Sequence, residues 1–164
     1  MGLFACTAGL GIEKQLAYFK KDNDDYNSIM LKALADRLAE ALTEYIHERI
    51  RKEIWGYAPD ETFSNDDLIA EKYKGIRPAP GYTACPDHTE KEKIFSILGA
   101  EKIGVRLTEN MAIYPNSTVS GYYFAHPEAK YFSVGKVQDD QITDYAKRKN
   151  QTVEITEKWL RSNI

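Results

Sequence analysis

The chain has 164 residues, of which 43% are hydrophobic and 29% charged, and its net charge at pH 7 is −3. This length and composition suit a globular protein with one hydrophobic core, and we expect a single domain over residues 1–164. Basic residues are scattered, which argues against nucleic-acid binding, and no apolar run reaches the ~20 residues that span a bilayer. The first residues lack the pattern of a signal peptide, so we expect a cytoplasmic protein without a nucleic-acid or membrane partner.

The N-terminal third of the sequence predicts a short strand, a short helix and one long helix. Residues 2–9, GLFACTAG, indicate a buried strand that ends at glycine, and residues 11–23 indicate a helix. Over residues 25–55, apolar residues recur at helical spacing for about eight turns, or ~45 Å. Asp25 complements the helix dipole at the N-terminus, and Gly56 ends the helix.

Three charged residues of the long helix stand close to its apolar stripe. By helical spacing Arg37 falls inside the stripe, while Asp36 and Glu40 lie side by side on one flank. One interpretation is a structural pair between Arg37 and Glu40 at the edge of the core, with Asp36 in solvent. The other is that the two carboxylates face a ligand or partner that carries positive charge or a hydrogen-bond donor. The spacing leaves both interpretations open.

Two further helices are predicted in the middle of the chain. One covers residues 63–76, with Ser64 as its N-cap and Asp67 three residues later in a variant of the capping box. The other covers residues 88–100, with Thr89 as its cap and a glycine near its end.

The C-terminal part changes from helical to strand composition and back. Residues 105–138 are rich in Val, Ile, Tyr, Phe and Thr, and they predict three strands in a meander with turns at residues 115–117 and 126–129. Two helices, residues 139–150 and 152–163, close the chain. We therefore expect an α+β fold, in which a twisted antiparallel sheet packs with several helices including the long one.

A rigid segment joins the two middle helices. Residues 75–91, GIRPAPGYTACPDHTEK, hold three of the six prolines and two of the ten glycines, which excludes regular structure around RPAPGY. The segment could simply be a compact connection between helices. Alternatively, it holds Arg77 and Tyr82 in place, because bidentate recognition of a carboxylate needs a fixed arginine. Backbone groups freed by irregular structure could then bind the edge of a purine.

The remaining candidate residues carry weaker signals. Alternation along the chain turns one of Tyr131 and Phe132 outward, where a ring could stack on a heterocycle or face a cation. His88 is interpreted as a hydrogen-bonding loop residue. Cys6 and Cys85 are expected to be reduced and catalytically silent, because no base has a demonstrable place beside them. The sequence carries no CxxC or HExxH motif, and we expect neither a metal site nor a catalytic side chain.

Five segments occur in the order KALADRLAEA, WGYAPDE, GIRPAPGYTACPDHTEK, SGYYFAHPEAKYF and DQITDYAKRK. Together they closely resemble the C-terminal activation domain of cobalamin-dependent methionine synthase, over essentially the whole chain. The string RPAPGYTACPDHTEK is long and specific. The family's domain begins well before GLFACTAG, so the resemblance implies a piece of a longer protein that also carries folate, homocysteine and cobalamin modules.

The resemblance implies a module that binds S-adenosylmethionine over the cobalamin held by the cobalamin-binding module of the same enzyme. That enzyme moves a methyl group from methyltetrahydrofolate to homocysteine by way of cobalamin, which occasionally oxidises to inactive cob(II)alamin. Flavodoxin or a flavoprotein reductase then supplies one electron, and the sulfonium methyl group passes to cobalt. No protein nucleophile is required. We do not expect the isolated chain to be catalytic.

The resemblance also carries ligand contacts over, residue by residue. The arginine of RPAPGY holds the ligand carboxylate in the family and corresponds to Arg77. The other implied positions are Asp36 and Glu40 on the surface near the ligand and the cobalamin module, Ala79 and Gly81 whose backbone approaches the ligand, Tyr82 beside the cofactor, and Tyr131 and Phe132 lining the site. An aspartate that also binds S-adenosylmethionine lies upstream in the family. A stand-alone small-molecule or flavodoxin-docking module without catalysis remains the alternative, and a cobalamin-binding DxHxxG motif upstream would argue against it.

Overall fold

The computed structural model describes the whole chain, residues 1–164. Its elements are β1 (Gly2–Thr7), α1 (Glu13–Lys21), α2 (Asp25–Arg49), α3 (Asn65–Ile69), α4 (Glu90–Leu98), β2 (Arg106–Leu107), β3 (Ile113–Tyr114), β4 (Thr118–Tyr123), α5 (Asp139–Lys149) and α6 (Val153–Leu160). A π-helical turn, Ile50–Ile54, extends α2 without a break, so the predicted long helix is confirmed. Two small antiparallel sheets accompany the helices, which confirms the predicted α+β class.

Local capping chemistry explains where the middle helices begin and end. Ser64 and Asp67 form the predicted capping box at the start of α3. This helix stops at Ile69, well before the predicted end, because Glu71 takes the left-handed conformation with a φ of 53°. Gly99, with a φ of 63°, ends α4 as predicted.

The sheet differs from the predicted three-stranded meander. β4 pairs with β1 along its whole length, with Leu3 opposite Tyr122, and β2 pairs separately with β3. Residues 130–138, predicted as the third strand, form no strand. Between Lys130 and Lys136 every residue is exposed. Aromatic and β-branched residues favour a strand where they can bury one face, and nothing covers this segment.

The buried face of α2 is not the predicted apolar stripe. Large apolar side chains of that stripe are exposed, among them Tyr26, Ile29, Leu34, Leu38, Leu42 and Tyr45. The buried face carries Ala35, Ala39, Thr43 and His47, and α2 packs against β1 and β4. Small side chains at four-residue spacing form a low ridge, which lets the helix approach the strands closely. Arg37, predicted to lie inside a buried stripe, is therefore exposed.

The β1–β4 pair lies between α2 and α4. On the α2 side, Phe4, Cys6 and Tyr123 form an apolar cluster in which the rings of Phe4 and Tyr123 stack with centroids 4.6 Å apart. On the α4 side, Leu3 and Tyr122 pack against a second cluster around α4. Alternation along the two strands places these two sets of side chains on opposite faces. None of the helices combines the length and apolar character needed to cross a membrane.

Candidate functional site

The proline-rich segment is attached to β4 and its continuation by backbone hydrogen bonds. Ile76 and Phe124 exchange two N–H···O bonds of 2.9 Å each, and the Tyr122 N–H donates to the Pro78 carbonyl at 2.9 Å. Gly121 makes this approach possible, because a Cβ there would lie 2.5 Å from the Pro78 oxygen. These hydrogen bonds to β4 and its continuation therefore fix the position of the proline-rich segment beside the sheet.

A tight turn follows at Gly81, which has a φ of +97°. Its N–H donates to the Cys85 carbonyl at 2.7 Å, and the Cys85 N–H donates to the Tyr82 carbonyl at 3.0 Å. A Cβ on Gly81 would lie only 2.2 Å from Cε1 of His88, so the turn packs directly on the imidazole ring. Lys91 holds this ring, because its Nζ lies 2.9 Å from His88 Nδ1.

A buried network fixes the end of the segment to α5. The carboxylate of Asp87 accepts hydrogen bonds from Lys149 Nζ at 2.7 Å, from Tyr145 Oη at 2.9 Å and from the Thr89 N–H at 2.8 Å. Burial raises the pKa of Asp87, but the bonds from Lys149 and Thr89 outweigh it and lower the pKa below its usual value. Lys149 also donates to Glu90 at 2.9 Å. Together with the prolines, this network makes the segment rigid, as the sequence predicts.

A cleft of about 630 Å³ opens between α2 and the segment. Five of the eight predicted site residues line it: Asp36 and Glu40 from α2, and Ala79, Gly81 and Tyr82 from the segment. His88 and Lys91 form part of the lining, together with the turn that leads into β4. The structure thus brings the α2 face that carries Asp36, Arg37 and Glu40 together with an irregular backbone across one cavity.

The two predicted carboxylates of α2 differ in their surroundings. Asp36 accepts a hydrogen bond from Ser117 Oγ at 2.7 Å, which ties the helix to the turn before β4. Glu40 lies one helical turn further along and is exposed. Across the cleft, Lys91 is 8% exposed and donates to the Met111 carbonyl at 2.9 Å, and burial lowers the pKa of its ammonium group.

Arg77 lies beside the cleft rather than in its lining. Its guanidinium forms an ion pair with Glu44, which is one turn beyond Glu40 on α2. Burial lowers the pKa of Arg77, but Glu44 and the neighbouring Tyr73 and Tyr131 outweigh burial and raise it above its usual value. The guanidinium therefore stays charged next to the acidic face of α2.

The predicted aromatic pair is split by the structure. The Tyr131 hydroxyl accepts a hydrogen bond from the Arg77 N–H at 3.0 Å, so this residue contacts the proline-rich segment. Phe132 is 59% exposed, and neither ring lines the cleft described above. Both lie on the strandless stretch after β4, and only Tyr131 has a hydrogen bond to the segment.

Sequence reasoning missed two charged residues that the structure places at the site. Glu44 could have been found, since it continues the four-residue spacing of Asp36 and Glu40 along α2. No pattern in the sequence indicated Lys91, because only the packing of α4 brings its ammonium group to the cleft.

Both thiols are free, and their environments disfavour the thiolate. Burial raises the pKa of Cys6. Burial, followed by the charges of Glu90 and Asp87, raises the pKa of Cys85 to about 11. These directions agree with the expectation of two unreactive thiols, which a labelling experiment tests below.

A cleft of this size is typical of small-molecule sites, which places the domain in the class of α+β ligand-binding modules. Residues 1–150 match the family model described as the vitamin B12 dependent methionine synthase, activation domain. The chain belongs to this family, and the resemblance inferred from the sequence motifs is confirmed.

The chain is also similar to a solved structure, the crystal structure of the MetH reactivation domain bound to AdoHcy (S-adenosylhomocysteine). The two are 55% identical with a TM-score of 0.95, and the match covers 99% of this chain and 50% of that chain. This chain thus spans about half the length of the protein it matches.

Proposed function

We propose that the chain binds S-adenosylmethionine as part of the reactivation module of a cobalamin-dependent methionine synthase and positions it for reductive methylation of cob(II)alamin. One observation carries the proposal. The cleft gathers five residues that the family motifs place at or near the ligand and its cofactor, in a chain 55% identical to the MetH reactivation domain bound to AdoHcy. Its volume of about 630 Å³ lies within the range of ~300–1,000 Å³ common for small-molecule sites.

The chemistry of the cleft matches the chemistry of the ligand. S-adenosylmethionine carries a carboxylate, which suits Arg77, and two positive groups, which suit Asp36 and Glu40. The backbone at Ala79 and Gly81 can bind the edge of adenine. Tyr82 is 69% exposed and offers a ring face to the ligand or to the cofactor. We assign Tyr131 and Phe132 to the outer rim of the same site.

Cobalamin belongs, in this proposal, to another module of the full-length enzyme, and flavodoxin or a flavoprotein reductase supplies the electron. When bound, cobalamin provides the cobalt centre that accepts the methyl group. The residues of this chain bind and orient the methyl donor, so their contribution is positioning rather than side-chain chemistry. Asp36 and Glu40, both exposed on α2, are proposed to face the cobalamin module.

Calorimetric titration of S-adenosylhomocysteine into the chain and into its Arg77→Ala variant tests the proposal. A hydrogen bond between charged groups contributes about 1.5–3 kcal/mol, so the variant should bind about 10- to 150-fold more weakly. Arg49→Ala is the matched control, since Arg49 is an exposed arginine at the end of α2 that pairs with Glu53 outside the cleft. The control should bind like the wild type.

Two results would contradict the proposal, and they differ in meaning. Equal binding by wild type and Arg77→Ala would show that Arg77 does not hold the carboxylate. Failure of the wild-type chain to bind at all would show that this half of the domain is not sufficient for ligand binding, while leaving the family membership intact.

A further inference from the structure

Glu44 is the acidic partner of the arginine that the proposed function assigns to the ligand. Its Oε2 accepts the hydrogen bond from Arg77 Nη2, and the two side chains are only 30% and 19% exposed. Each partner keeps one buried polar atom without a partner in the protein, Oε1 of Glu44 and Nε of Arg77. The pair is thus joined by a single hydrogen bond, and one acceptor on Glu44 and one donor on Arg77 remain available.

The groups around this pair are neutral or otherwise engaged. Tyr73 is buried, and burial raises its pKa above the usual value. His47 is fully buried, and burial, followed by Arg51 and Arg77, lowers its pKa to about 3. Arg51 pairs with Glu61 at 2.7 Å. Glu44 therefore supplies the negative charge that compensates Arg77.

A ligand carboxylate that reaches Arg77 enters a site in which a protein carboxylate already holds the guanidinium. Two carboxylates on one guanidinium repel each other, and a partly buried setting screens this repulsion less than water does. The same contact restricts the rotamers of a long side chain, which reduces the entropy lost when the ligand binds. Glu44 thus has two opposite effects on the ligand, one through its charge and one through its hydrogen bond.

We propose that Glu44 is a positioning residue that orients Arg77 and at the same time weakens its hold on the ligand carboxylate. This inference rests on the proposed function and deepens it, since it names the residue that sets the affinity for the carboxylate. Weak binding of this kind suits a module that takes up its ligand only for occasional reactivation and then releases the product.

Glutamine and alanine at position 44 separate the two effects. Glu44→Gln keeps an oxygen that accepts from Arg77 but removes the charge, so carboxylate ligands should bind about tenfold more tightly. Glu44→Ala removes both the charge and the acceptor, leaves Arg77 unrestrained, and should bind more weakly than Glu44→Gln. Glu48→Gln is the matched control, because Glu48 lies one turn further along α2 and pairs with Lys52 instead.

The test compares two ligands by calorimetric titration. S-adenosylhomocysteine has the carboxylate, whereas its decarboxylated analogue, S-adenosyl-3-thiopropylamine, keeps the adenosine, thioether and amine without it. Glu44→Gln should strengthen binding of the first ligand and not of the second, and Glu48→Gln should change neither. The inference is overturned if Glu44→Gln leaves S-adenosylhomocysteine binding equal or weaker, or strengthens both ligands equally.

A double-mutant cycle in urea unfolding tests the pair without any ligand. Glu44→Ala, Arg77→Met and the double variant should show non-additive losses of stability, because each single variant removes the direct interaction between the two side chains. Additive losses would mean that the pair does not form in solution, which overturns the inference. Ligand binding by the wild type and by Arg77→Ala tests the proposed function separately. Failure of the inference about Glu44 can therefore be distinguished from failure of the proposed function.

Discussion

Replacing Gly81 by alanine should damage the site from within the proline-rich segment. Gly81 has a φ of +97°, and an added Cβ would lie 2.2, 2.6 and 2.9 Å from three atoms of the His88 ring. Carbon atoms in favourable contact lie about 3.5–4.0 Å apart, so the ring would have to move by more than ~1 Å. Its movement is opposed by Lys91, which bonds both His88 and the Met111 carbonyl.

Two costs add up in this variant. An L-residue in the left-handed region costs about 1–2 kcal/mol, and overpacking against a fixed neighbour costs about 1–3 kcal/mol. The free energy of unfolding of Gly81→Ala should therefore fall by about 2–5 kcal/mol. Gly135→Ala is the matched control, because Gly135 has a φ of +69° but no atom within 4 Å of an added Cβ. The free energy of unfolding of Gly135→Ala should fall only by the cost of the left-handed backbone, about 1–2 kcal/mol.

Urea unfolding of the three proteins measures both losses of stability. The difference between the two variants reports the collision with His88 together with the greater backbone strain at a φ of +97°. We expect a difference of about 1–3 kcal/mol. The gain from reducing the flexibility of the unfolded chain is the same at both glycines and cancels in the comparison. Equal destabilisation of Gly81→Ala and Gly135→Ala would refute the close packing of the turn on the imidazole ring.

Two further predictions concern buried titratable groups. His47 is neutral when folded, with a pKa lowered to about 3 from 6.5, so its contribution to stability is complete above pH 6.5 and decreases as the pH falls. Lowering the pH from 6.5 to 5.5 should therefore remove about 1 kcal/mol from the free energy of unfolding. His47→Phe should flatten this slope of stability against pH. An unchanged slope would contradict the lowered pKa of His47. Cys85, with a pKa raised to about 11, should react with a thiol reagent at pH 7 far more slowly in the folded than in the urea-unfolded chain, and rapid stoichiometric labelling of the folded chain would be the contrary result.

Several parts of the candidate site follow from short-range patterns in the sequence. The prolines and glycines around Arg77 predict a rigid irregular segment, and the structure has one because φ restriction acts within the segment itself. The helical spacing after Asp25 likewise predicts correctly the length of the continuous helix formed by α2 and its π-helical turn. Asp36, Glu40, Ala79, Gly81 and Tyr82 were assigned through the family motifs, and the structure places them around one cleft.

The errors arise where the outcome depends on distant neighbours. The apolar stripe of α2 contains Leu34 and Leu38, yet the face that carries Ala35 and Ala39 is the buried one. Periodicity identifies a helix, but it does not say which side meets the strands. Similarly, the strand composition after β4 did not produce a strand, because β4 pairs with β1 along one edge and its other edge is bonded to the backbone of Ile76 and Pro78.

The sequence by itself determined the local elements: the Ser64 capping box, the Gly99 helix end, the irregular proline-rich segment, the long helix and the family motifs. Only the tertiary structure decided that Arg77 pairs with Glu44, that Lys149 holds Asp87, and that the His88 ring lies against the Gly81 turn. The physical reason is the range of the forces involved. Dihedral restriction and capping act over a few residues, whereas ion pairs and close packing depend on which surfaces the folded chain brings together.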